Sequence, residues 1–440
     1  MINKNSLIVL ILLSFIIFLD NGNRYNLELI FIYFSIVVIS TTQIFSNKAL
    51  PFSLHNIFNL FFLFFIGIAP VIQYKNNIVF LNKLSSLNDL DYIKGGVFYL
   101  VILLIYNILY NKIFNKNNNE LSIKKRRTFD FYYDKKILLL LSLFTSLIIL
   151  IYFNFNLDIL ISRKSLILFS RESYKPLTSI VNTLRLVPLF SLLFLKLSNK
   201  NNIKLEVTLL LLTILLNIPT SIPRFKVAVV YLPLLFVYFK PIYIKNTFNY
   251  IFSIGLMIVF PYLHHYRYNH NIYNNPFKTN VFIDAHFDSF QNSINLIKHC
   301  SITYGEQLLA IILFFVPSDL WTSKPLNSNK ILVKSIDYDG FSNIAIGYFA
   351  EGYLNFGYIG VILFIILIAF LNAYIDKKFW SNNKKKSIFI LIYFILLPFE
   401  FILLRGSLRA LFANLIGSIL LICLIYILLN HKNIKKLAKN

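Results

Sequence analysis

Cysteine is almost missing from this chain: Cys300 and Cys423 are the two in 440 residues, too few for a disulfide framework. Acidic side chains are scarce as well, 19 against 43 Lys and Arg, and charged residues of both signs reach only 14%. So few polar groups cannot cover a water-facing surface, which excludes the two or three soluble domains that the length suggests. No Walker A motif, Rossmann fingerprint, cysteine pair or His-Glu-x-x-His pattern occurs, so no ATPase engine, nucleotide cofactor or zinc site is expected. No internal repeat supports an inverted-repeat transporter. No small-residue cleavage site follows the apolar stretch in Met1 to Leu19, which is therefore expected to persist as the first spanning helix.

What is present is apolar: 57% hydrophobic residues and a mean hydropathy of +0.66. A spanning helix needs about 20 mostly apolar residues. Such runs lie near 5–20, 27–45, 56–73, 93–110, 137–154, 180–196, 205–220, 226–240, 246–263, 355–375, 387–404 and 408–430. The expected fold is an all-α polytopic integral membrane protein of about 12 transmembrane helices. Residues 1–263 form an N-terminal bundle of about nine helices, 264–354 a large exterior loop, 355–430 the C-terminal helices and 431–440 a basic tail.

The charges test that order. Segment 111–136 carries eight Lys and Arg against three acids, and 376–386 carries five lysines. Both belong in the cytoplasm by the positive-inside bias, and counting crossings from them puts both termini there too. The formal charge of +24 then reflects topology and anionic lipid rather than nucleic acid. Segment 154–179 runs against the trend, carrying Arg163, Lys164, Arg171 and Lys175 on the exterior side. The exterior loop holds five of the seven histidines. Its apolar stretch 302–316 is too short to span and is expected to be a re-entrant or interfacial helix.

Several polar residues stand out, each with a structural alternative. Arg224 follows Pro223 at the exterior end of a helix, placed either to fork onto phosphate or to snorkel to headgroups. Arg405 and Arg409 flank a Gly-Ser-Leu turn, also exterior, where paired cations favour an anionic ligand over a topology signal. Asp284, His286 and Asp288 crowd five positions. They suit general-base chemistry or backbone capping, and no spacing singles out a metal. Trp321 and Lys324 share a Pro-bounded turn, where an indole stacks on a sugar or anchors at the interface. Glu351 opens the next helix, either as a base or as an ion-pair partner.

Taken in order, these motifs resemble the O-antigen polysaccharide polymerase (Wzy) family. The residues that carry the resemblance are the run from His286 to Asn292 that includes Gln291, Tyr304 to Leu309, and Leu313 to Pro317 followed by Trp321, Lys324 and Pro325. Ala350-Glu351, Asn355 to Gly357 and the Arg405-Gly406 turn complete it, over 281–410. The chain departs from the family after Val316-Pro317, where Ser318 and Asp319 stand in place of an expected basic residue.

The resemblance implies an enzyme of the bacterial inner membrane that joins polyprenyl-diphosphate-linked repeat units into O-antigen or capsule on the exterior face. The diphosphate leaves, so no ATP or other cofactor is needed. Donor and acceptor lipids and a chain-length regulator are the implied partners. On that reading Arg405, Arg224 and Arg409 clamp the diphosphate, His286, Asp288 or Glu351 takes the acceptor proton, and Trp321, Lys324 and Gln291 bind substrate. An O-antigen ligase shares the leaving group and differs in its acceptor. A flippase or other transporter instead predicts charge lining a central cavity, and a scaffold gives no reason for paired exterior arginines.

Overall fold

The computed structural model describes residues 4–19, 22–46, 50–115, 135–173, 175–198, 202–259, 279–317, 319–340, 342–381 and 387–437. Among them every regular element is helical. In chain order those of seven residues or more are α1 (Lys4–Leu19), α2 (Leu27–Ile44), α3 (Leu54–Lys75), α4 (Asp89–Asn115), α5 (Lys135–Tyr152) and α6 (Arg163–Glu172). They continue as α7 (Leu177–Leu197), α8 (Ile203–Leu216), α9 (Arg224–Tyr238), α10 (Thr247–Val259), α11 (Ser289–His299) and α12 (Glu306–Ile312). The last are α13 (Ser328–Ser335), α14 (Tyr348–Trp380), α15 (Ser387–Arg405) and α16 (Leu408–Leu437).

Eight of these helices, α2, α3, α4, α5, α7, α14, α15 and α16, are long and apolar enough to cross a membrane. The other four runs expected to span are helical but shorter: α1, α8, α9 and α10. The exposed side chains fit lipid. Along α14, Ile359, Ile362, Leu363, Ile366, Leu367, Phe370 and Tyr374 form an exposed stripe at helical spacing. A soluble protein would have to hide such a continuous apolar patch.

At the centre runs α3, all of whose residues are buried. Ser53 starts it by accepting a hydrogen bond from the Asn56 N–H. A π-helical stretch, Phe62–Ile68, precedes Pro70. Proline lacks a donor and its ring crowds the carbonyl four residues earlier, so the widened turn absorbs what a regular helix could not. Along this helix Phe58 stacks on Phe62 and Phe61 on Phe65; Phe58 also stacks on Tyr106, and Phe61 and Phe65 meet Phe401 edge-on.

The helices define two poles. At one, Asp376 accepts from the N–H groups of Leu54 and His55 and from the hydroxyls of Tyr110 and Tyr393, at 3.0, 3.2, 2.9 and 2.7 Å. One buried carboxylate thereby ties α3, α4, α14 and α15 together. The expected span 355–375 accordingly runs on to Trp380, and Asp376 belongs to the core rather than to a cytoplasmic loop. The lysines at 384–386, most of 111–136 and the tail from 438 lie outside the described residues.

The opposite pole carries the Arg405–Arg409 turn, and the exterior-loop segment dips into the bundle there. Helix α14 is two legs: non-helical Phe356 and Gly357 (φ +60°) divide Tyr348–Asn355 from a second leg that starts at Tyr358. The Tyr348 and Phe364 rings lie 4.7 Å apart, whereas a straight helix would hold these residues on the order of 24 Å apart. The first leg therefore folds back along the second, and its Phe349 reaches Phe58 and Phe62 in the core. The fold-back lies at this hairpin. The expected re-entrant stretch 302–316 forms only the seven-residue α12, begun by Gly305 at φ +90° and held to the hairpin by the Thr303 and Gly305 N–H groups on the Leu354 and Asn355 carbonyls.

Candidate functional site

The Arg405–Arg409 turn collects most of the charged residues picked out in the sequence. Arg405 ends α15, and its guanidinium donates to the backbone carbonyl of His286 (2.9 Å) and to Asp288 Oδ1 (3.4 Å). Asp288 begins α11 and is buried; its Oδ2 accepts from Asn292 Nδ2 (2.8 Å) and the Ala345 N–H (3.3 Å). Burial raises its pKa, while Arg405, the Ala345 N–H and Asn292 pull it back down. The Asp288 carboxylate is thus held beside one cation in a poorly solvated place, as an acid-base group requires.

Glu351 lies on the first leg of α14 and is also buried. Its Oε1 accepts from the Ser328 hydroxyl (2.5 Å) and from the Leu408 N–H (3.3 Å), the first turn of α16. A carboxylate at a helix N-terminus satisfies an otherwise orphan donor and favours the dipole, so Glu351 fixes the geometry of the arginine turn. Arg409 donates to the Pro325 carbonyl (2.9 Å) and to Gln307 Oε1 (3.3 Å), and lies within electrostatic reach of Glu351 and Lys324. Lys324 Nζ donates to the carbonyls of Phe314 (3.2 Å) and Val316 (2.6 Å) and sits 5.8 Å from the Trp321 ring centre. Burial, then Arg409, lowers the Lys324 pKa.

Around this turn three cations, Arg405, Arg409 and Lys324, meet two carboxylates, Asp288 and Glu351. Every acceptor of Arg409 and Lys324 named above is a neutral oxygen, so the local field favours an incoming anion. The Trp321 Nε1 donates to Ser323 (3.1 Å) at the open edge of the group.

Two sequence candidates lie elsewhere. Gln291 is buried in a polar knot, donating to Gln73 Oε1, the Ile78 carbonyl and the Tyr92 hydroxyl at 3.2, 2.9 and 3.1 Å. There it joins α11 to α3 and α4. Arg224 opens α9 beside Pro223, which lines a different pocket, one that also contains Arg163 and Lys226. His286 contributes its carbonyl to Arg405; His264, His265 and His270 lie outside the described residues. Asn292 and Gln307 enter the sequence reading only within the motif runs and Ser328 not at all, because an amide or hydroxyl on a short helix carries no distinguishing signal. Arg185 and Glu400 did carry one, being ionisable residues inside apolar runs.

Among the described residues no group of three or more His, Cys, Asp or Glu is placed to hold a metal ion. No protein-family model, curated protein or solved structure matches the chain.

Proposed function

We propose that this protein is a multi-pass glycan transferase that polymerises polyprenyl-diphosphate-linked oligosaccharide repeat units at the pole bearing the Arg405–Arg409 turn. The reading includes the about twelve crossings expected from sequence, cytoplasmic termini and an exterior site in the bacterial inner membrane. The observation that carries it is the cation-rich turn braced by two buried carboxylates, one of which is paired to Arg405.

In the reaction, an acceptor sugar hydroxyl attacks the anomeric carbon of the donor glycan. The new glycosidic C–O bond forms as the bond to the diphosphate breaks, and the diphosphate leaves with the electron pair. Arg405, helped by Arg409, stabilises charge that grows on the leaving group, an interaction stronger in the transition state than in bound substrate. Asp288 accepts the hydroxyl proton, with Glu351 as the second carboxylate within the cluster. Trp321 and Lys324 lie at the edge where a sugar would enter. No ATP is consumed, because the leaving group carries the activation.

The test is a membrane assay with a short lipid-linked repeat unit. Product ladders support polymerisation. Loading of a single glycan onto an acceptor lipid would assign a ligase instead, and lipid movement across vesicles without chain growth would replace the reading by transport. Arg405→Lys keeps the charge and loses the planar fork, so turnover is expected to fall about a hundredfold. Undiminished turnover would remove the clamp.

A further inference from the structure

A second basic cluster sits at the same pole, built from α5, α6, α7 and α9. A pocket of about 80 Å³ is walled by Tyr152, Phe153 and Phe169 and reached by Arg163 and Lys226. None of the side chains that line it is a carboxylate. Behind Phe153 lies Arg185, 1% exposed, with its guanidinium 5.8 Å from the ring centre. The Arg185 Nε donates to the Leu216 carbonyl (2.7 Å), but its two terminal nitrogens are buried with no hydrogen-bond partner. Arg163 and Arg185 both act electrostatically on Lys226.

A buried guanidinium with two unsatisfied nitrogens is costly, and two further cations beside it raise the cost. Arg163 and Lys226 line the cavity and Arg185 stands behind its Phe153 wall, so an anion held there would offset the three charges together through the poorly solvated interior. The cavity exceeds the roughly 10–15 Å³ that one water occupies, yet it suits a phosphate-sized group better than a sugar ring. Its surroundings identify the source. Leu157, Ile161, Leu168, Leu177 and Ile180 are all exposed on the neighbouring elements, an apolar collar on which acyl chains would lie.

We propose that this pocket binds a phosphate group, and that its occupant is the headgroup phosphate of an anionic membrane lipid whose chains cover the collar. It is separate from the Arg405 site: no hydrogen bond or ion pair among the described residues joins the two clusters, and no carboxylate lines this one. Binding here stabilises the packing of α6 and α7 and does not depend on glycan transfer.

The experiment measures thermal unfolding of the full chain in nanodiscs of phosphatidylcholine with graded phosphatidylglycerol. A parallel set uses pure phosphatidylcholine with inorganic phosphate. The wild type is expected to gain Tm with phosphatidylglycerol, and Lys226→Gln to need about tenfold more of it for the same gain. Lys164→Gln removes an equal charge from an exposed neighbouring position and should titrate like wild type. Arg185→Met is expected to exceed the wild-type Tm in pure phosphatidylcholine and to gain less from phosphatidylglycerol than the wild type does. If it fails to fold, the Lys226 and Lys164 pair decides. A rise with inorganic phosphate alone, lost in Lys226→Gln, would keep the phosphate pocket and overturn the lipid as its occupant. Identical titrations of Lys226→Gln and Lys164→Gln, or no response to either phosphate source, would overturn the site.

Discussion

Asp288 and Arg405 divide one electrostatic problem between them. Burial pushes the carboxyl toward its protonated form, and the guanidinium is the strongest influence pulling it back. Because the folded pKa lies above the unfolded value of about 3.9, the contribution to stability is full below that value and is lost as pH rises through the folded pKa. Asp288→Asn should flatten that part of the stability-pH curve, measurable by thermal unfolding across acid to neutral pH. If Asp288 is the base, the same substitution lowers turnover by about 10²- to 10⁴-fold. In Arg405→Gln the folded pKa rises further, so the acid limb of the residual activity moves to higher pH; an unmoved limb would detach Asp288 from the reaction.

At the scale of the element, the fold-back of α14 decides where Glu351 goes. Gly357 at φ +60°, ψ −146° occupies backbone space that is nearly closed to other residues. A Cβ on Gly360 would stand 2.0 Å from the Gly352 carbonyl oxygen, so the two legs meet only because no side chain intervenes. Gly357→Ala is expected to cost about 1–3 kcal/mol from backbone strain. Gly360→Ala is expected to cost at least a similar amount from overpacking, about 1–3 kcal/mol. Since Glu351 on the first leg accepts from the Leu408 N–H, either change should reduce turnover in the proposed transfer reaction as well as Tm. Full activity in a destabilised Gly357→Ala protein would separate the hairpin from the site.

Across the whole molecule, the poles are set by contacts that bring distant segments together: Asp376 with Leu54, Tyr110 and Tyr393 at one, Arg405 with His286 and Asp288 at the other. A topology with cytoplasmic termini puts these poles on opposite sides of the membrane. In a background with Cys300 and Cys423 replaced, a cysteine at Thr322 should react with an impermeant maleimide added outside intact cells. A cysteine at Lys204 should react only after permeabilisation. Labelling of both from the same side would overturn the crossing count.

The helices themselves, their apolar faces and the basic segments between them were legible in the sequence, because periodicity and composition report local structure and solvent directly. Arg405, Arg409, Asp288, Glu351 and Lys324 were each legible as candidates, since charges near apolar runs are conspicuous, but the packing is what gathers them at one turn and leaves Arg224 apart. Gln291 joined them as part of the His286–Asn292 run that carries the resemblance, and the fold turns its amide the other way, into α3 and α4. The helical hairpin at Phe356-Gly357, the neutral acceptors around Arg409 and the cluster of Arg163, Arg185 and Lys226 were decided only in three dimensions. Each depends on which distant segments share one pole. Sequence pattern carries which residues face lipid and which face protein, and the packing of one helix on another selects their partners.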